Sequence, residues 1–280
     1  MRTFEARSGD RLAQLSVAEV QAAFREAGLV VFRGYAPTPA ELEAFTRPFT
    51  EQYFFGYGRA PFAEHPAITT VNESRLALEA HSDNGLRAEA MRPVITWFWC
   101  ERPASAGGET TFFDGTVVWN RLAAATRELF STHQVVYISR VAPAAWRATG
   151  HATLESFVSF LATIGARAGR IHDDQTVDVE VSSRAVWTPR WTAQPAFISS
   201  MMVAGSTGFE GMAVRLDDGR PVPPEVVADV RATLDACCEQ IAWRAGDAAM
   251  LDNTRFLHGR RGYADEARRV YLVQTMRPTF

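Results

Sequence analysis

The pattern of hydrophobic and polar residues in the first 50 positions predicts a helix, a strand and a second helix. Each predicted helix opens with a capping box, Ser or Thr followed three residues later by Glu, at Ser16 and at Thr38. Gly28 ends the first helix, and Pro39 occupies the first position of the second, where proline favours a helix start. The apolar run at 29–32 between the helices predicts a short strand.

Strands dominate the rest of the chain, with helices between them. Residues 93–100 form a continuous apolar run of β-branched and aromatic side chains, which indicates a strand buried on both faces. Shorter apolar runs predict further strands, and apolar residues at helical spacing predict helices. The predicted strands are 67–71, 93–100, 109–113, 135–141, 197–203, 241–243, 248–251 and 268–276, and the predicted helices are 115–130, 154–164 and 224–240.

Many short strands with helices at the periphery indicate an α+β, mainly β fold, either a β-sandwich or a jelly roll with flanking helices. Residues from about 143 to 195 are the least regular, and we interpret them as a lid-like insertion between core strands. The strand–helix alternation of nucleotide-binding folds is missing, as is a glycine-rich phosphate loop. We therefore expect a single domain over residues 1–280.

The composition excludes several kinds of chemistry. All 29 basic residues among the 280 are arginine, and lysine is absent. Without lysine the protein cannot form a Schiff base with a carbonyl substrate, hold pyridoxal phosphate as an internal aldimine or use the lysine of a P-loop. Arginine is thus the only fixed positive charge available to bind an anion.

Charge and hydropathy predict the partners of the protein. The net charge is −3 without a long basic run, so we do not expect nucleic acid as a partner. The apolar stretches are far shorter than the roughly 20 residues that span a bilayer, and the N-terminus lacks the apolar core of a signal peptide. Cys100, Cys237 and Cys238 form no spaced framework, which indicates reduced thiols and a cytoplasmic location. We expect a small-molecule substrate, and a homo-oligomer is possible.

One of the six histidines lies in a pattern that suits a metal ion. In extended backbone, residues i and i+2 point to the same side, so His81 and Asp83 can present an imidazole and a carboxylate to one ion. His258 is the candidate for the third ligand of a facial triad, the arrangement that leaves open positions on non-haem Fe(II). A second His-x-Asp, at His172 and Asp174, lies in a polar, irregular stretch. We favour the first pair because metal ligands need a rigid scaffold, and it precedes the strongest predicted strand.

Four motifs occur in a fixed order that resembles a known enzyme family. They are His81-x-Asp83, the glycine-rich segment GGETTF at 107–112, the segment from Gly246-Asp247 to Asp252-Asn253, and His258-Gly259-Arg260 followed by Arg268-Arg269. This ordered set resembles the taurine dioxygenase family (clavaminate synthase-like) of Fe(II)/2-oxoglutarate-dependent oxygenases. The opening helix, strand and helix are also similar to the start of that family.

The resemblance implies a double-stranded β-helix (jelly-roll) core, with iron bound by His81, Asp83 and His258. It implies that Thr110 lies near the co-substrate 2-oxoglutarate. It also implies that an arginine about eleven residues after the distal histidine binds the far carboxylate of 2-oxoglutarate; Arg269 fits this position. Arg268 competes for that role, because neighbouring residues on a strand face opposite sides and only one of them can point inward.

The implied reaction uses Fe(II), 2-oxoglutarate and O2, releases succinate and CO2, and removes a hydrogen atom from a substrate C–H bond before hydroxylation. Asp83 argues against halogenation, since related halogenases replace this carboxylate by a small residue. Desaturation, epoxidation and cyclisation remain open, because these reactions diverge after hydrogen abstraction. A cupin-like metal-dependent hydrolase or isomerase without 2-oxoglutarate is the alternative from another enzyme class, and a non-catalytic binding protein with the same fold is a third possibility.

The substrate is the least determined feature. In the taurine-acting branch of the family an arginine four residues beyond the co-substrate arginine binds the sulfonate, and Val273 stands at that position here. We therefore expect an amino-acid-like or natural-product intermediate rather than taurine. Aromatic side chains at 53–57 and 187–191 are candidates for the pocket lining, and Arg147 and Arg190 for a substrate carboxylate.

Overall fold

The computed structural model describes residues 1–55, 59–71, 74–206 and 209–280 of the chain. Within these ranges the α-helices are α1 (Val17–Ala27), α2 (Pro39–Thr46), α3 (Gly115–Arg121), α4 (Ala124–Thr132), α5 (Pro143–Ala148), α6 (Leu154–Thr163) and α7 (Pro224–Cys237). The strands are β1 (Arg2–Glu5), β2 (Leu29–Arg33), β3 (Thr50–Tyr53), β4 (Pro61–Phe62), β5 (His65–Thr70), β6 (Leu78–His81), β7 (Ile95–Arg102), β8 (Thr110–Asp114), β9 (Gln134–Val141), β10 (Arg167–Ile171), β11 (Val177–Arg184), β12 (Val186–Trp187), β13 (Ala196–Phe197), β14 (Met212–Leu216), β15 (Glu239–Ile241), β16 (Ala248–Asp252), β17 (Phe256–Arg260) and β18 (Arg269–Pro278).

The predicted helix starts are confirmed. The Ser16 hydroxyl accepts a hydrogen bond from the backbone N–H of Glu19, and Gly28 ends α1 with a φ of 69° that glycine adopts without strain. At the start of α2, the side chains of Thr38 and Glu41 each accept a hydrogen bond from the other's backbone N–H. Local side-chain hydrogen bonds therefore fix both helix starts.

Two β-sheets face each other across an apolar layer. The major sheet has the order β1-β2-β16-β7-β18-β5-β4, with β3 also paired to β18, and the minor sheet has the order β15-β8-β17-β6. Their facing side chains form one cluster, which includes Leu251, Val270 and Leu272 from the major sheet and Phe112 and Phe256 from the minor sheet. Burial of this shared apolar surface holds the sheets together.

The outer face of each sheet is covered by helices. Trp97 and Tyr271 of the major sheet pack in one cluster with Phe24 of α1 and Phe45 of α2. On the minor sheet, Phe113 and Leu257 pack with side chains from α3, α4 and α7. The central strands are therefore buried on both faces, which explains why β7 appears in the sequence as a continuous apolar run.

The region 143–195, which we interpreted as a lid-like insertion, contributes strands to a sheet that also contains strands before and after it. Strand β10 pairs with β11, and β11 pairs with β9, which precedes that range. Strand β9 also pairs with β14, which follows the range. These four strands form a side sheet in the order β10-β11-β9-β14. The cluster of Trp146, Phe157 and Leu161 packs helices α5 and α6 against it. The sequence predicted only β9 of this sheet, at 135–141, because the pairing joins distant parts of the sequence.

Two further predictions differ from the structure. The helix predicted over 115–130 is two helices, α3 and α4, and the backbone N–H of Ala123 at the break donates to Asp229 of α7. Of the strand predicted over 197–203, only the first residue belongs to a strand, β13. Met201–Val203 form a 3₁₀ turn instead. Among the described residues, no helix combines the length and the apolar character needed to cross a membrane.

Asp252, at the end of β16, is a buried carboxylate. Its Oδ1 accepts hydrogen bonds from the backbone N–H of Thr254 at 2.8 Å and from the Thr254 hydroxyl at 2.6 Å. Burial raises the pKa of Asp252 to about 6. Since this pKa is higher in the folded than in the unfolded protein, the stabilising contribution is present at acidic pH and is lost as the pH rises through about 6.

We expect Asp252→Asn to raise the free energy of unfolding by up to about 3 kcal/mol near pH 8, because the amide oxygen can accept both bonds without ionising. Urea denaturation of both proteins across the acidic to alkaline range measures the difference. It should shrink toward zero at about pH 4. A difference of the same size at every pH would contradict this explanation.

Candidate active site

Strand pairing in the minor sheet brings two distant histidines together. His81 at the end of β6 lies directly opposite His258 of the antiparallel strand β17, and their ring centroids are 4.4 Å apart. Asp83 follows two residues after His81. One ligand atom from each of these three residues lies within 4.8 Å of the others. The structure thus places the predicted triad in one cluster.

Both histidines are held in the neutral form that binds metal ions. Burial lowers the pKa of His81, and it lowers the pKa of His258 to about 3, with a further contribution from His81. The His81 Nδ1 lies 2.9 Å from the Glu79 carbonyl oxygen, to which a protonated Nδ1 donates. That bond leaves the lone pair of Nε2 for a metal ion.

The carboxylate of Asp83 is held in its ionised form. Burial raises its pKa, but His258 and Arg59 and the hydrogen bond from Thr96 outweigh burial, so the pKa lies below its usual value. The Thr96 hydroxyl donates to Oδ2 at 2.8 Å, and a guanidinium nitrogen of Arg59 lies 3.5 Å from Oδ1. Oδ1 also lies 3.9 Å from His258 Nε2.

The side chain of Asn253 fixes the backbone around Asp83. Its Oδ1 accepts from the Asp83 backbone N–H at 2.7 Å, and its Nδ2 donates to the Asp83 carbonyl at 3.2 Å and to the Pro93 carbonyl at 2.7 Å. This amide therefore ties the backbone at Asp83, two residues after β6, to the turn after β16. The fixed backbone determines where the Asp83 carboxylate points.

The donor set fits a divalent transition metal such as Fe(II). Two neutral imidazoles and one carboxylate are the ligands of a facial triad. The Nε2 of His258 faces the Asp83 carboxylate, 3.9 Å from Oδ1, so this nitrogen is placed to share a metal ion with Asp83. The second pair, His172 and Asp174, is not part of this cluster, because His172 contacts Asp178 and Asp174 accepts from Thr176.

A cavity of about 780 Å³ opens from this cluster, and Thr110 and Arg268 line it. Thr110 is buried on β8, where its hydroxyl accepts a hydrogen bond from the indole of Trp243 at 2.8 Å. Arg268 is 2% exposed, and burial lowers its pKa. A buried guanidinium in a cavity wall is a strong binding group for an anion.

The structure places Arg269, the predicted co-substrate arginine, outside the cavity. Arg269 is exposed, does not line the cavity, and donates hydrogen bonds to the backbone carbonyls of Glu266 and Arg268. Arg268, Val270 and Leu272 alternate along the strand and all line the cavity, so Arg269 must face away. After Arg269, β18 is buried on both faces. The alternation of apolar and polar residues therefore did not reveal which of the two arginines points inward.

The glycine pair before β8 makes room for Arg268. Gly107 and Gly108 have φ values of 73° and 72°, which other residues rarely adopt. A Cβ on Gly108 would lie 3.1 Å from both Cδ and Nε of Arg268, whose Nε donates to the Gly108 carbonyl at 3.2 Å. The glycine motif of the sequence thus supports the buried arginine.

Other predicted pocket residues lie elsewhere. Arg147 packs on the ring of Trp146 and donates to Gln175, and Arg190 packs on Trp191; neither arginine lines the cavity. The described aromatic residues of the two predicted clusters also lie outside the cavity lining, namely Tyr53, Phe54, Phe55, Trp187 and Trp191. Tyr57 lies outside the described residues.

Sequence reasoning missed several residues of the site. Asn253 belongs to a motif that was identified, but nothing in the sequence indicated that its amide binds the backbone of Asp83. Thr96 lies in the apolar run of β7, where one hydroxyl gave no signal. Arg59 lies in a segment without a clear pattern, and only the tertiary structure brings it to Asp83.

We expect Asn253→Ala to weaken Mn(II) binding by roughly 10- to 100-fold, because losing a group that orients a ligand costs about that much affinity. Isothermal titration calorimetry measures the change. Asn120→Ala, at an exposed position of α3, is the matched control and should bind Mn(II) like the wild type. Unchanged affinity in a folded Asn253 variant would show that the amide does not position Asp83.

Comparison with known proteins identifies the family. A curated relative, the clavaminate synthase-like protein At3g21360 of Arabidopsis thaliana, is 27% identical over 270 residues, which covers 88% of this chain and 80% of the relative. PvcB of Pseudomonas aeruginosa is described as an Fe, alpha-ketoglutarate dependent oxygenase from an isonitrile synthetic pathway. Its structure matches with a TM-score of 0.60 and 18% sequence identity, and the match covers 98% of this chain and 85% of PvcB. AAD-2 in complex with Mn(II) and N-oxalylglycine has a TM-score of 0.61 at 17% identity over 100% of this chain and 96% of AAD-2.

These two solved structures share the mixed α/β fold of the chain. The model of the taurine catabolism dioxygenase TauD, TfdA family matches residues 2–276, nearly the whole sequence. The chain therefore belongs to this family, and it is an oxidoreductase that depends on Fe(II) and 2-oxoglutarate.

Proposed function

We propose that the protein is a dioxygenase that hydroxylates a C–H bond of a small molecule, with Fe(II) held by His81, Asp83 and His258. The observation that carries the proposal is the cluster of these three side chains in the wall of a large cavity. Bound together, Fe(II) and 2-oxoglutarate supply an oxidant, formed with O2, that is strong enough to attack a C–H bond. A three-residue ligand set leaves positions on the metal open for the co-substrate and O2.

We propose that Arg268, rather than Arg269, binds the far carboxylate of 2-oxoglutarate. A dicarboxylate placed in a cavity would bury an unpaired charge at a cost of several kcal/mol unless a fixed cation faced it. Arg268 is a buried guanidinium in the cavity wall, and a planar guanidinium can hold a carboxylate with two hydrogen bonds. We assign Thr110 to the same co-substrate site, since its hydroxyl lines the cavity and can donate a hydrogen bond while it accepts one from Trp243.

The assignment of Arg268 as the co-substrate arginine also bears on whether taurine is the substrate. Four residues beyond Arg268 lies Leu272, and four residues beyond Arg269 lies Val273, so neither register supplies an arginine for a sulfonate. We therefore do not propose taurine as the substrate. Family membership disfavours the hydrolase or isomerase alternative, and Asp83 supports hydroxylation over halogenation.

The finer architecture belongs to the proposal as well. The two facing sheets and their outer helices support a jelly-roll core, and a family match over residues 2–276 supports a single domain. The cytoplasmic location and a homo-oligomer remain predictions from the sequence.

We expect His81→Ala to reduce succinate formation by at least about 100-fold. Removing a group that only orients a metal ligand lowers metal affinity or activity by up to about 100-fold, and removing the ligand itself should lower it at least as much. The assay contains purified protein, Fe(II), ascorbate, 2-oxoglutarate and candidate substrates, and bound iron is measured in parallel. His133→Ala, which changes a surface histidine paired with Asp217, is the control and should keep full activity. A His81 variant with wild-type turnover and iron content would refute the triad.

Arg268 and Arg269 offer a matched pair of variants. Arg268→Gln should raise the KM for 2-oxoglutarate by roughly 10- to 100-fold, because charged hydrogen bonds contribute about 1.5–3 kcal/mol each. Arg269→Gln removes the same charge one residue away, on the exposed side of the strand, and should leave this KM unchanged. The reverse result would restore Arg269 as the co-substrate ligand.

A further inference from the structure

The carboxylate of Asp83 is carried by a tight turn that begins directly after His81. The backbone N–H of Gly85 donates to the Ser82 carbonyl at 2.9 Å and closes the turn over residues 82–85. Asn84 within it has a φ of 53°, in the left-handed region that asparagine tolerates. Because Asp83 is the second residue of this turn, any movement of the turn also moves the proposed metal ligand.

Ser200, three residues after β13, contacts the backbone between the two ligands. It is fully buried, and its hydroxyl oxygen accepts a hydrogen bond from the Ser82 backbone N–H at 3.2 Å. A Cβ on Gly85 would lie 2.1 Å from the Ser200 Oγ, so the turn and the serine are packed without room to spare. Since Ser82 separates His81 from Asp83, this hydrogen bond restrains the backbone that carries both ligands.

Tyr137 of β9 holds Ser200 in place from the side sheet. Its hydroxyl accepts from the Ser200 backbone N–H at 3.0 Å and lies 2.8 Å from the Ser199 hydroxyl. The three residues are buried, where a polar group without a partner would be costly. A chain of hydrogen bonds therefore runs from the side sheet through Ser200 to the backbone between the ligands.

Arg92 makes a second connection, to the other end of the turn. This arginine is buried, and one of its terminal nitrogens donates to the Gly85 carbonyl at 2.9 Å. The same nitrogen donates to the hydroxyl of Ser183 on β11 at 2.7 Å. Strands β9 and β11 are neighbours in the side sheet, so both ends of the turn are connected to one sheet.

These connections are separate from the support that Asn253 and Thr96 give. The Asn253 amide binds the backbone of Asp83, and Thr96 binds its carboxylate, from the major sheet and the turn after β16. Ser200 and Arg92 instead bind the first and last residues of the turn. The turn is therefore restrained from two sheets that differ in sequence and position.

We propose that Ser200 and Arg92 are positioning residues that hold the turn over 82–85, and with it the Asp83 carboxylate, against the side sheet. This assignment rests on the proposed function, because it treats His81 and Asp83 as metal ligands. The side sheet then does more than line the cavity, since it also determines the geometry of the ligands.

Ser200 and Ser199 offer a matched pair of variants. Both are buried and contact Tyr137, but only Ser200 reaches the ligand backbone. Ser200→Ala should weaken Mn(II) binding by roughly 3- to 10-fold, as expected for the loss of one hydrogen bond, and Ser199→Ala should leave it unchanged. Calorimetry measures both affinities, and thermal unfolding without metal measures the stability of each variant.

Two results would overturn the assignment of Ser200. Equal losses of Mn(II) affinity in the Ser200 and Ser199 variants would show that the loss comes from a general loosening of this region. A lower melting temperature of Ser200→Ala with wild-type Mn(II) affinity would show that Ser200 only stabilises the fold.

The electron paramagnetic resonance spectrum of bound Mn(II) reports the ligand geometry apart from stability. At saturating Mn(II), Ser200→Ala should change the zero-field splitting, because the Asp83 carboxylate takes another orientation, and Ser199→Ala should give the wild-type spectrum. The KM for 2-oxoglutarate should stay unchanged in both variants, since we assign that site to Arg268 and Thr110. Identical spectra for the wild type and Ser200→Ala would contradict a positioning role.

Arg92→Met tests the second connection. Methionine fills much of the same space but cannot donate to the Gly85 carbonyl, so Mn(II) affinity should fall by roughly 3- to 10-fold. Arg184→Met is the matched control, because Arg184 is exposed and, like Arg92, packs on the ring of Trp187. It should bind Mn(II) like the wild type, and an equal loss in both variants would overturn the assignment of Arg92.

Tyr137→Phe tests the side sheet with the loss of a single oxygen atom. It leaves the Ser200 backbone N–H without its acceptor and should lower Mn(II) affinity in the same direction as Ser200→Ala. Wild-type affinity in both Tyr137→Phe and Arg92→Met would show that the side sheet does not position the ligands. A wild-type protein that does not bind Mn(II), or a His81→Ala variant that binds it as tightly, would instead contradict the proposed function itself.

Discussion

The pairing of β6 with β17 is the constraint on which the site depends. It sets His81 directly opposite His258, although the two residues are far apart in the sequence. A shift of one residue in this register would turn the side chain of His258 to the other face of the minor sheet. The same strand pairs with β8, so Thr110 is placed by the same register.

The third ligand needs support of another kind, because Asp83 lies beyond the end of β6. The amide of Asn253 fixes its backbone, and the Thr96 hydroxyl fixes its carboxylate. These polar groups are buried between the sheets, where leaving one without a partner would be costly. The hydrogen bonds that stabilise the fold here also orient the carboxylate, so the minor sheet and the turn after β16 act together to build the site.

The elements that the sequence predicted well are those fixed by local interactions. Capping boxes at Ser16 and Thr38 gave both helix starts, and the apolar run of β7 gave the central strand. The family motifs gave the triad and Thr110 as candidates. Of the side sheet only the strand at 135–141 was predicted, because the other strands are partly polar and the pairing joins distant segments, so no local pattern marks the sheet.

The sequence by itself determined the helix starts, the buried strands, the family and the residues of the candidate triad, because each of these leaves a local or ordered pattern. Only the tertiary structure decided that Arg268 points into the cavity and Arg269 away from it, since β18 is apolar on both faces and alternation alone cannot assign them. It also decided that Arg59 lies beside Asp83 and that Ser200 and Arg92 connect the side sheet to the turn that carries Asp83. These features depend on contacts between distant segments, which packing fixes and sequence spacing does not.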